Sequence, residues 1–288
     1  MPMFPLRYGP QYPSQGALMS KVWFITGASR GFGRSWTIAA LERGDRVAGT
    51  ARDISMLSDL VATYGDAFLP LQLDVTDRAG DFAAVQQAHE YFEQLDVVVN
   101  NAGYGHFGFT EELSEVDIRN QMETNFFGAL WVSQAAIPIM RNQGSGHIIQ
   151  ISSVGGVCAF PMLGAYNASK WALEAMSEAL SQEVADFGIK VTIIEPAGFA
   201  TEWGNTSSVH STALSHYEDK RAARAGAARQ TPPAEATNAA IFAAVDAEHP
   251  PLRLLLSSFA NTLVNIAYDK RLAEWDQWSE VTAACDNV

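Results

Sequence analysis

The stretch KVWFITGASRGFGRSWTIAALERG, residues 21–44, decides how the rest of the chain reads. KVWFIT is a short apolar run of β-forming residues. TGASRGFG is a turn holding Gly27, Gly31 and Gly33, and GRSWTIAALERG has helical spacing with a stop at Gly44. Glycines between a strand and a helix let the chain bend tightly and let backbone approach a ligand closely. The N-terminus of that helix offers free N–H groups and a positive dipole end, which suit a pyrophosphate. The spacing is G-x-x-x-G-x-G, not the commoner G-x-G-x-x-G. A glycine-rich connection without any ligand has the same local pattern, so the neighbouring segments have to decide.

Those segments repeat the alternation. Strands are expected in DRVAGTAR (45–52), AFLPLQLDV (67–75), LDVVVNNAG (95–103), GHIIQISS (146–153), IKVTIIEP (189–196) and LRLLL (252–256). Helical spacing covers 54–65, 78–94, 116–142, 165–187, 233–248 and 259–280. Val- and Ile-rich strands alternating with helices imply an α/β fold. We expect a single doubly wound Rossmann-type domain, a parallel sheet of about seven strands with helices on both faces. No composition shift interrupts 21–288, read as one domain with a substrate loop or lid at about 199–232 and a helical tail at about 259–288. Residues 1–20 hold four prolines and no apolar core, and are expected to be a poorly ordered extension before a natural beginning at MSKVWFITG.

The bulk numbers narrow the function. With 288 residues, 48% of them hydrophobic, the chain is long enough for a substantial core. A net charge of −13 argues against nucleic-acid or anionic-membrane partners. No apolar run has the length of a membrane span. Two cysteines, Cys158 and Cys285, and scattered histidines give neither a disulfide scaffold nor metal-ligand spacing. A cytoplasmic protein without a metal is expected.

One more stretch carries chemistry. GAYNASKWALEAMSEAL, residues 164–180, begins a helix with Tyr166 and Lys170 four apart. That spacing puts them on one face, either as a buried tyrosine beside a solvated lysine or as a proton-transfer pair.

Taken together, TGASRGFG, LDVTD, NNAG, the serine–tyrosine–lysine set and EPAGFAT resemble the short-chain dehydrogenase/reductase family across essentially all of 21–256. EPAGFATEW and PPLRLLLSS are most similar to the bacterial 17β-hydroxysteroid-dehydrogenase-like oxidoreductases within it. The resemblance implies a nicotinamide-dependent oxidoreductase acting on a carbonyl or secondary alcohol. A cofactor-bound isomerase or epimerase, and a non-catalytic NADP-binding sensor, remain alternatives on the same fold. The resemblance also implies a homodimer or homotetramer.

Catalytic roles follow from the resemblance. Tyr166 is the expected acid/base, Lys170 its electrostatic tuner and ribose anchor, and Ser153, thirteen residues before the tyrosine, the substrate orienter. A free tyrosine has a pKa of about 10, and an ammonium nearby is expected to lower it. Asn125, in METNFFGAL, is expected to hold a water that links the lysine to solvent; the alternative is a helix kink with a locally bonded amide.

The cofactor set comprises Gly27, Ser29, Arg30, Gly31, Phe32 and Gly33 in the first turn, and Arg52 after the second strand. Asp74 and Val75, then Asn101, Ala102 and Gly103, then Tyr166 and Lys170, and lastly Pro196, Gly198, Phe199 and Thr201 complete it. An acid commonly ends the second strand of NAD-binding folds; here Ala51 stands there, followed by Arg52. Arg52 with Arg30 suits a 2′-phosphate, so NADP(H) is expected over a possible NAD(H). Both arginines also fit a solvated surface, Asp53 is a candidate for a ribose hydroxyl, and Asp74 fits a turn cap equally well. Ala197 replaces the family's glycine after Pro196, which would strain the chain if φ there were positive. Tyr104, His106, Phe107, Phe160, Met162, Leu163 and Trp203 imply an apolar or bulky substrate. Lys220, Arg221, Arg224 and Arg229 read as an exposed helix or as a lid facing an anionic substrate.

Overall fold

The computed structural model describes residues 20–201, 208–225 and 231–286. All but Ser20 of the expected extension lies outside them, as do Trp203 and Arg229.

Along the chain run β1 (Val22–Ile25), α1 (Gly31–Glu42), β2 (Arg46–Ala51), α2 (Ser58–Tyr64), β3 (Phe68–Gln72), α3 (Arg78–Phe92) and β4 (Val97–Asn100). After β5 (His106–Phe107) come α4 (Glu115–Met122), α5 (Gly128–Gln143), β6 (Gly146–Ile151), α6 (Gly164–Glu183) and β7 (Ile189–Pro196). The C-terminal part holds β8 (Val209–His210), α7 (Glu218–Ala225), α8 (Asn238–Asp246), β9 (Arg253–Leu256), α9 (Ser258–Gln277) and α10 (Ser279–Ala284).

Seven strands form one sheet in the order β3-β2-β1-β4-β6-β7-β9, every pair parallel. This is the doubly wound architecture that the alternating pattern predicts. Strand periodicity makes two cores from one sheet. Val22, Phe24, Val98 and Ile148 face one layer with Val85, Phe92, Val132 and Met140. Trp23, Ile25, Val97, Val99 and Ile149 face the other with Trp36, Leu57 and Ile241. Trp36 is pinned by its indole N–H, which donates to Thr237 Oγ1 at 2.9 Å and ties α1 to the turn before α8.

Winding reverses between β1 and β4, whose neighbours β2 and β6 are reached by crossovers on opposite sides. Ligand crevices in such sheets open beyond the strand C-termini at this reversal. Every residue of β1 and β4 is buried, which gives the crevice a rigid floor.

The expected long helix over 116–142 is interrupted. Glu123–Phe127 forms a π-helical turn between α4 and α5, and Asn125 sits inside it. A two-strand parallel sheet, β5 with β8, was not anticipated by the sequence pattern. Among the described residues no helix is long and apolar enough to cross a membrane, and no His/Cys/Asp/Glu group could hold a metal ion.

Candidate active site

The glycine turn closes over the ends of β1 and β4. Gly27 and Gly31 have φ of +69° and +55°, where a side chain is strained. A Cβ on Gly33 would lie 2.3 Å from Gly27 O and 2.5 Å from Asn101 Nδ2. Asn101 holds the turn in place, donating from Nδ2 to Thr26 O at 2.9 Å and Gly27 O at 3.1 Å. Thr26 Oγ1 accepts from the Asn101 and Ala102 N–H groups at 2.9 Å each. Asn101 thus works as a clamp between strand ends.

Arg30, at the N-cap of α1, provides no side-chain cap. The first-turn N–H groups of the helix therefore face outward for an anion. Ser29, Arg30 and Gly31 line a cavity of about 570 Å³ with Arg34, Met56 and Ala200. This cradle, with no room for a Cβ at Gly33 and a bare helix N-terminus, fits a dinucleotide pyrophosphate.

Arg30 in the glycine turn and Arg52 just after β2 both present exposed side chains. Arg34, which the sequence did not single out, is committed to an ion pair with Asp59. Asp53 accepts from Ser55 N at 3.0 Å and Ser55 Oγ at 2.6 Å, and these bonds hold its carboxyl below the usual range. Asp74 Oδ1 similarly accepts from Thr76 N at 3.1 Å and Thr76 Oγ1 at 2.9 Å, the turn-capping geometry. Val75 packs against α5, where a Cβ on Gly128 would come within 2.8 Å of it.

Ser153, Tyr166 and Lys170 converge beyond the ends of β6 and β7. Ser153 Oγ accepts from Gly155 N at 3.0 Å and lies 3.5 Å from Pro196 O. It also bonds the Tyr166 hydroxyl. Ser152 faces away from this site, beside Glu174. Tyr166 and Lys170 are both buried on α6. Lys170 Nζ donates to Ile151 O at 2.6 Å and stands 5.9 Å from the centre of the Tyr166 ring.

The electrostatics differ from the sequence expectation. Burial pushes Tyr166 up to about 12, and the Ser153 bond offsets only part of that. Burial takes Lys170 down to about 8, opposed by the charge of Glu174. The lysine is turned to the Ile151 carbonyl, so desolvation outweighs its field at the phenol.

Asn125 Oδ1 accepts from Tyr104 N at 3.1 Å, while Nδ2 donates to Tyr104 O at 3.0 Å and Ser169 Oγ at 3.1 Å. The amide is thus bonded across three elements. The site of a Cβ on Gly103 would lie 3.1 Å from Asn125 Oδ1 and 3.7 Å from Lys170 Nζ, so Gly103 leaves the space between them open.

After β7, Ala197 and Gly198 have no positive φ, so the alanine carries none of the feared strain. Ala200 N donates to Pro232 O at 2.8 Å and Thr201 N to Phe199 O at 2.9 Å. The Phe199 ring meets Phe32 edge-on at 5.4 Å, and Phe32 stacks on Trp36 at 5.1 Å. Phe32 thereby joins the segment after β7 to α1.

On the substrate side, His106 is buried and its Nε2 lies 2.8 Å from Ser211 Oγ; burial holds its pKa low. Phe107 stacks on His210 at 5.1 Å. Met162 has a φ of +67°, and its carbonyl accepts from Gly108 N at 2.9 Å. Arg221 is spent on Glu112, whose carboxylate also accepts from Phe109 N at 2.8 Å and Leu214 N at 2.9 Å. Lys220 lies 5.5 Å over the Tyr217 ring. Arg224 carries a side chain outside the described residues. Glu112, Glu174 and Glu195 escaped sequence reasoning; Glu112 lies in the polar stretch EELSE, which gives no signal of burial, whereas Glu195 at the end of the apolar run IKVTIIEP did offer one.

A family model described as short chain dehydrogenase matches residues 21–211. A curated oxidoreductase of Botryotinia fuckeliana is 39% identical over 272 residues, spanning 92% of this chain and 99% of that protein. A 3-ketodihydrosphingosine reductase of Bacteroides thetaiotaomicron is 38% identical over 192 residues, 67% of this chain and 69% of that protein. The crystal structure of a short-chain dehydrogenase from Streptomyces avermitilis superposes with a TM-score of 0.87 at 39% identity, covering 93% of this chain and 99% of that one.

Proposed function

The chain belongs to the short-chain dehydrogenase family of oxidoreductases, and from that premise we propose that it is an NADP(H)-dependent carbonyl reductase or alcohol dehydrogenase with Tyr166 as acid/base. The observation that carries this reading is the grouping of Ser153, Tyr166 and Lys170 on the same sheet edge as the glycine cradle.

The nicotinamide cofactor, when bound, supplies or accepts the hydride. Gly27, Ser29, Arg30, Gly31, Phe32 and Gly33 would hold its pyrophosphate. Asp74, Val75, Asn101, Ala102 and Gly103 would border the adenosine and ribose. Pro196, Gly198, Phe199 and Thr201 would border the nicotinamide. Arg30, exposed in the glycine turn, and Arg52, exposed just after β2, support a 2′-phosphate, while Asp53 is occupied by Ser55.

In the reductive direction Tyr166 would give its hydroxyl proton to the carbonyl oxygen and be left as phenolate. Ser153 holds the same oxygen. Lys170 compensates the phenolate charge, a task for which it must remain an ammonium. Asn125 and Lys170, either side of the space at Gly103, would frame a water that returns the proton.

Apolar walls, with Phe160, Met162 and Leu163 before α6, support a bulky apolar substrate. The name of the Bacteroides relative is consistent with that class. The segment 208–225, pinned over the loop after β4, would act as the lid. Exposed Val116, Ile118 and Trp171 on α4 and α6 support a homodimer or homotetramer. A cytoplasmic location accords with the acidic chain and reduced cysteines.

Two measurements test the reading. A ketone and alcohol panel followed by nicotinamide absorbance should find turnover of an apolar carbonyl; tight cofactor binding without any turnover would favour a sensor or an isomerase. NADPH should exceed NADH in kcat/KM, with the gap narrowing in Arg52→Ala. Equal use by the wild type would overturn the NADP assignment.

A further inference from the structure

Tyr166, Lys170, Glu174 and Glu178 stand at four-residue intervals along α6. That spacing lays them down one face of the helix. The first three are buried, and Glu178 lies at the surface. Beside Glu174 is a second buried glutamate, Glu195, the residue before Pro196 on β7. Arg253, on the neighbouring strand β9, reaches Glu174 at 3.2 Å, Glu195 at 3.4 Å and Glu178 at 3.0 Å. One guanidinium, 36% exposed, therefore faces three carboxylates.

Two buried carboxylates beside one shared cation cannot both stay ionised without large cost. Burial, reinforced by the charge of Glu174, pushes Glu195 up to about 8, and burial raises Glu174 as well. The Glu174 carboxyl bonds Ser152, Arg253 and the Glu195 carboxyl itself, so the two acids meet directly. The other groups that bear on the cluster are few. Ser152 lies beside Glu174, and Cys158 feels the charges of Glu195 and of Arg271 on α9.

We propose that Glu174 and Glu195 form a buried carboxylate pair that carries one proton, resting on Glu195, and that the charge left on Glu174 holds Lys170 as an ammonium behind Tyr166. They are positioning residues, acting through the lysine. The need is physical: a lysine stripped of water drifts toward the neutral amine. The carboxylate one helical turn along is the group that opposes this drift. The pair also sits where Ser152, Glu195 and α6 meet, directly behind Ser153 and Pro196. The inference rests on the reading above that Lys170 serves the reaction as a cation.

The test follows Lys170 itself. The chain has five lysines, so the full protein labelled with [13Cε]lysine gives few NMR signals, and Lys170→Arg assigns the one required. Glu174→Gln should move the Lys170 titration to lower pH by about one unit or more. Glu195→Gln, which imitates the protonated partner, should leave it within about half a unit of wild type. Glu178→Gln, at the exposed end, should also leave it in place. The alkaline limb of kcat/KM should follow the NMR curve, with roughly fivefold loss at pH 8 in Glu174→Gln. An unmoved Lys170 titration in Glu174→Gln, even with lowered Tm, would reduce Glu174 to a structural role and overturn the proposal. So would a Glu195→Gln curve displaced from wild type by about one unit or more, an arm that survives if Glu174→Gln does not fold. A chain that turns over no carbonyl sinks the proposed function yet leaves the NMR titration readable.

Discussion

At the scale of single residues, the site is ruled by desolvation. Tyr166 stays a phenol to about 12 because its hydroxyl is buried and Lys170 is turned to Ile151 O. Difference absorbance between wild type and Tyr166→Phe should therefore show no phenolate step below pH 10. A step near neutrality would mean that the lysine field already reaches the ring without cofactor. Tyr166→Phe should also lower kcat by about 10²- to 10⁴-fold with little change in cofactor Kd, since a positioned proton donor contributes about that much. Retained turnover would remove the tyrosine from the chemistry. The tyrosine and lysine were legible because a four-residue interval is a helical neighbour relation. The direction of the tyrosine shift was not, because it depends on which acceptor the buried ammonium finds. Sequence spacing cannot say that this acceptor is a carbonyl at the end of β6.

At the scale of elements, the main strands were legible because buried parallel strands read as Val- and Ile-rich runs, as in Val97–Asn100. The two-residue strands β5 and β8 were not, since no periodicity exists over two residues. Their pairing fixes the segment 208–225 over the loop after β4, with Val209 N donating to Gly105 O at 3.0 Å and Ser211 N to Phe107 O at 2.9 Å. Glu112 is the latch, accepting from two backbone N–H groups and from Arg221 of α7. Arg221→Ala should loosen α7 while sparing the hydride-transfer edge. The expected result is a KM for a bulky substrate raised by roughly three- to tenfold with kcat nearly unchanged. An equal fall of kcat at constant KM would place the latch in the chemical step instead. The π-helical turn at Glu123–Phe127 belongs to the same scale. It aims the Asn125 amide at Tyr104 and Ser169, a use of the helix that the apolar spacing of 116–142 conceals.

At the scale of the whole molecule, two buried groups outside the site give stability opposite dependences on pH. Burial takes His147 down to about 3, its Nε2 lying 2.9 Å from Thr192 Oγ1 in the core. Below the ordinary histidine range the unfolded chain binds a proton that the native chain refuses, so stability is lost as pH falls from about 6.5 toward 3. Asp81, in the first turn of α3, is fully buried with both oxygens unpartnered. Burial, aided by the charges of Asp77 and Asp74, raises it to about 8. Here the native chain keeps a proton that the unfolded chain has released, so stability falls as pH rises from about 4 to about 8 and the loss is complete above that. Asp81→Asn removes the titration while retaining the shape. It should raise Tm at pH 8 more than at pH 5, with a difference on the order of 2–3 kcal/mol by calorimetry. The position gives no sign of this in the sequence, where DRAGDF reads as an ordinary acidic helix start. Only the packing of α3 on the sheet turns Asp81 inward. An Asp81→Asn protein whose Tm shifts equally at the two pH values would mean that the carboxyl stays ionised in the fold, and that water or a cation reaches it.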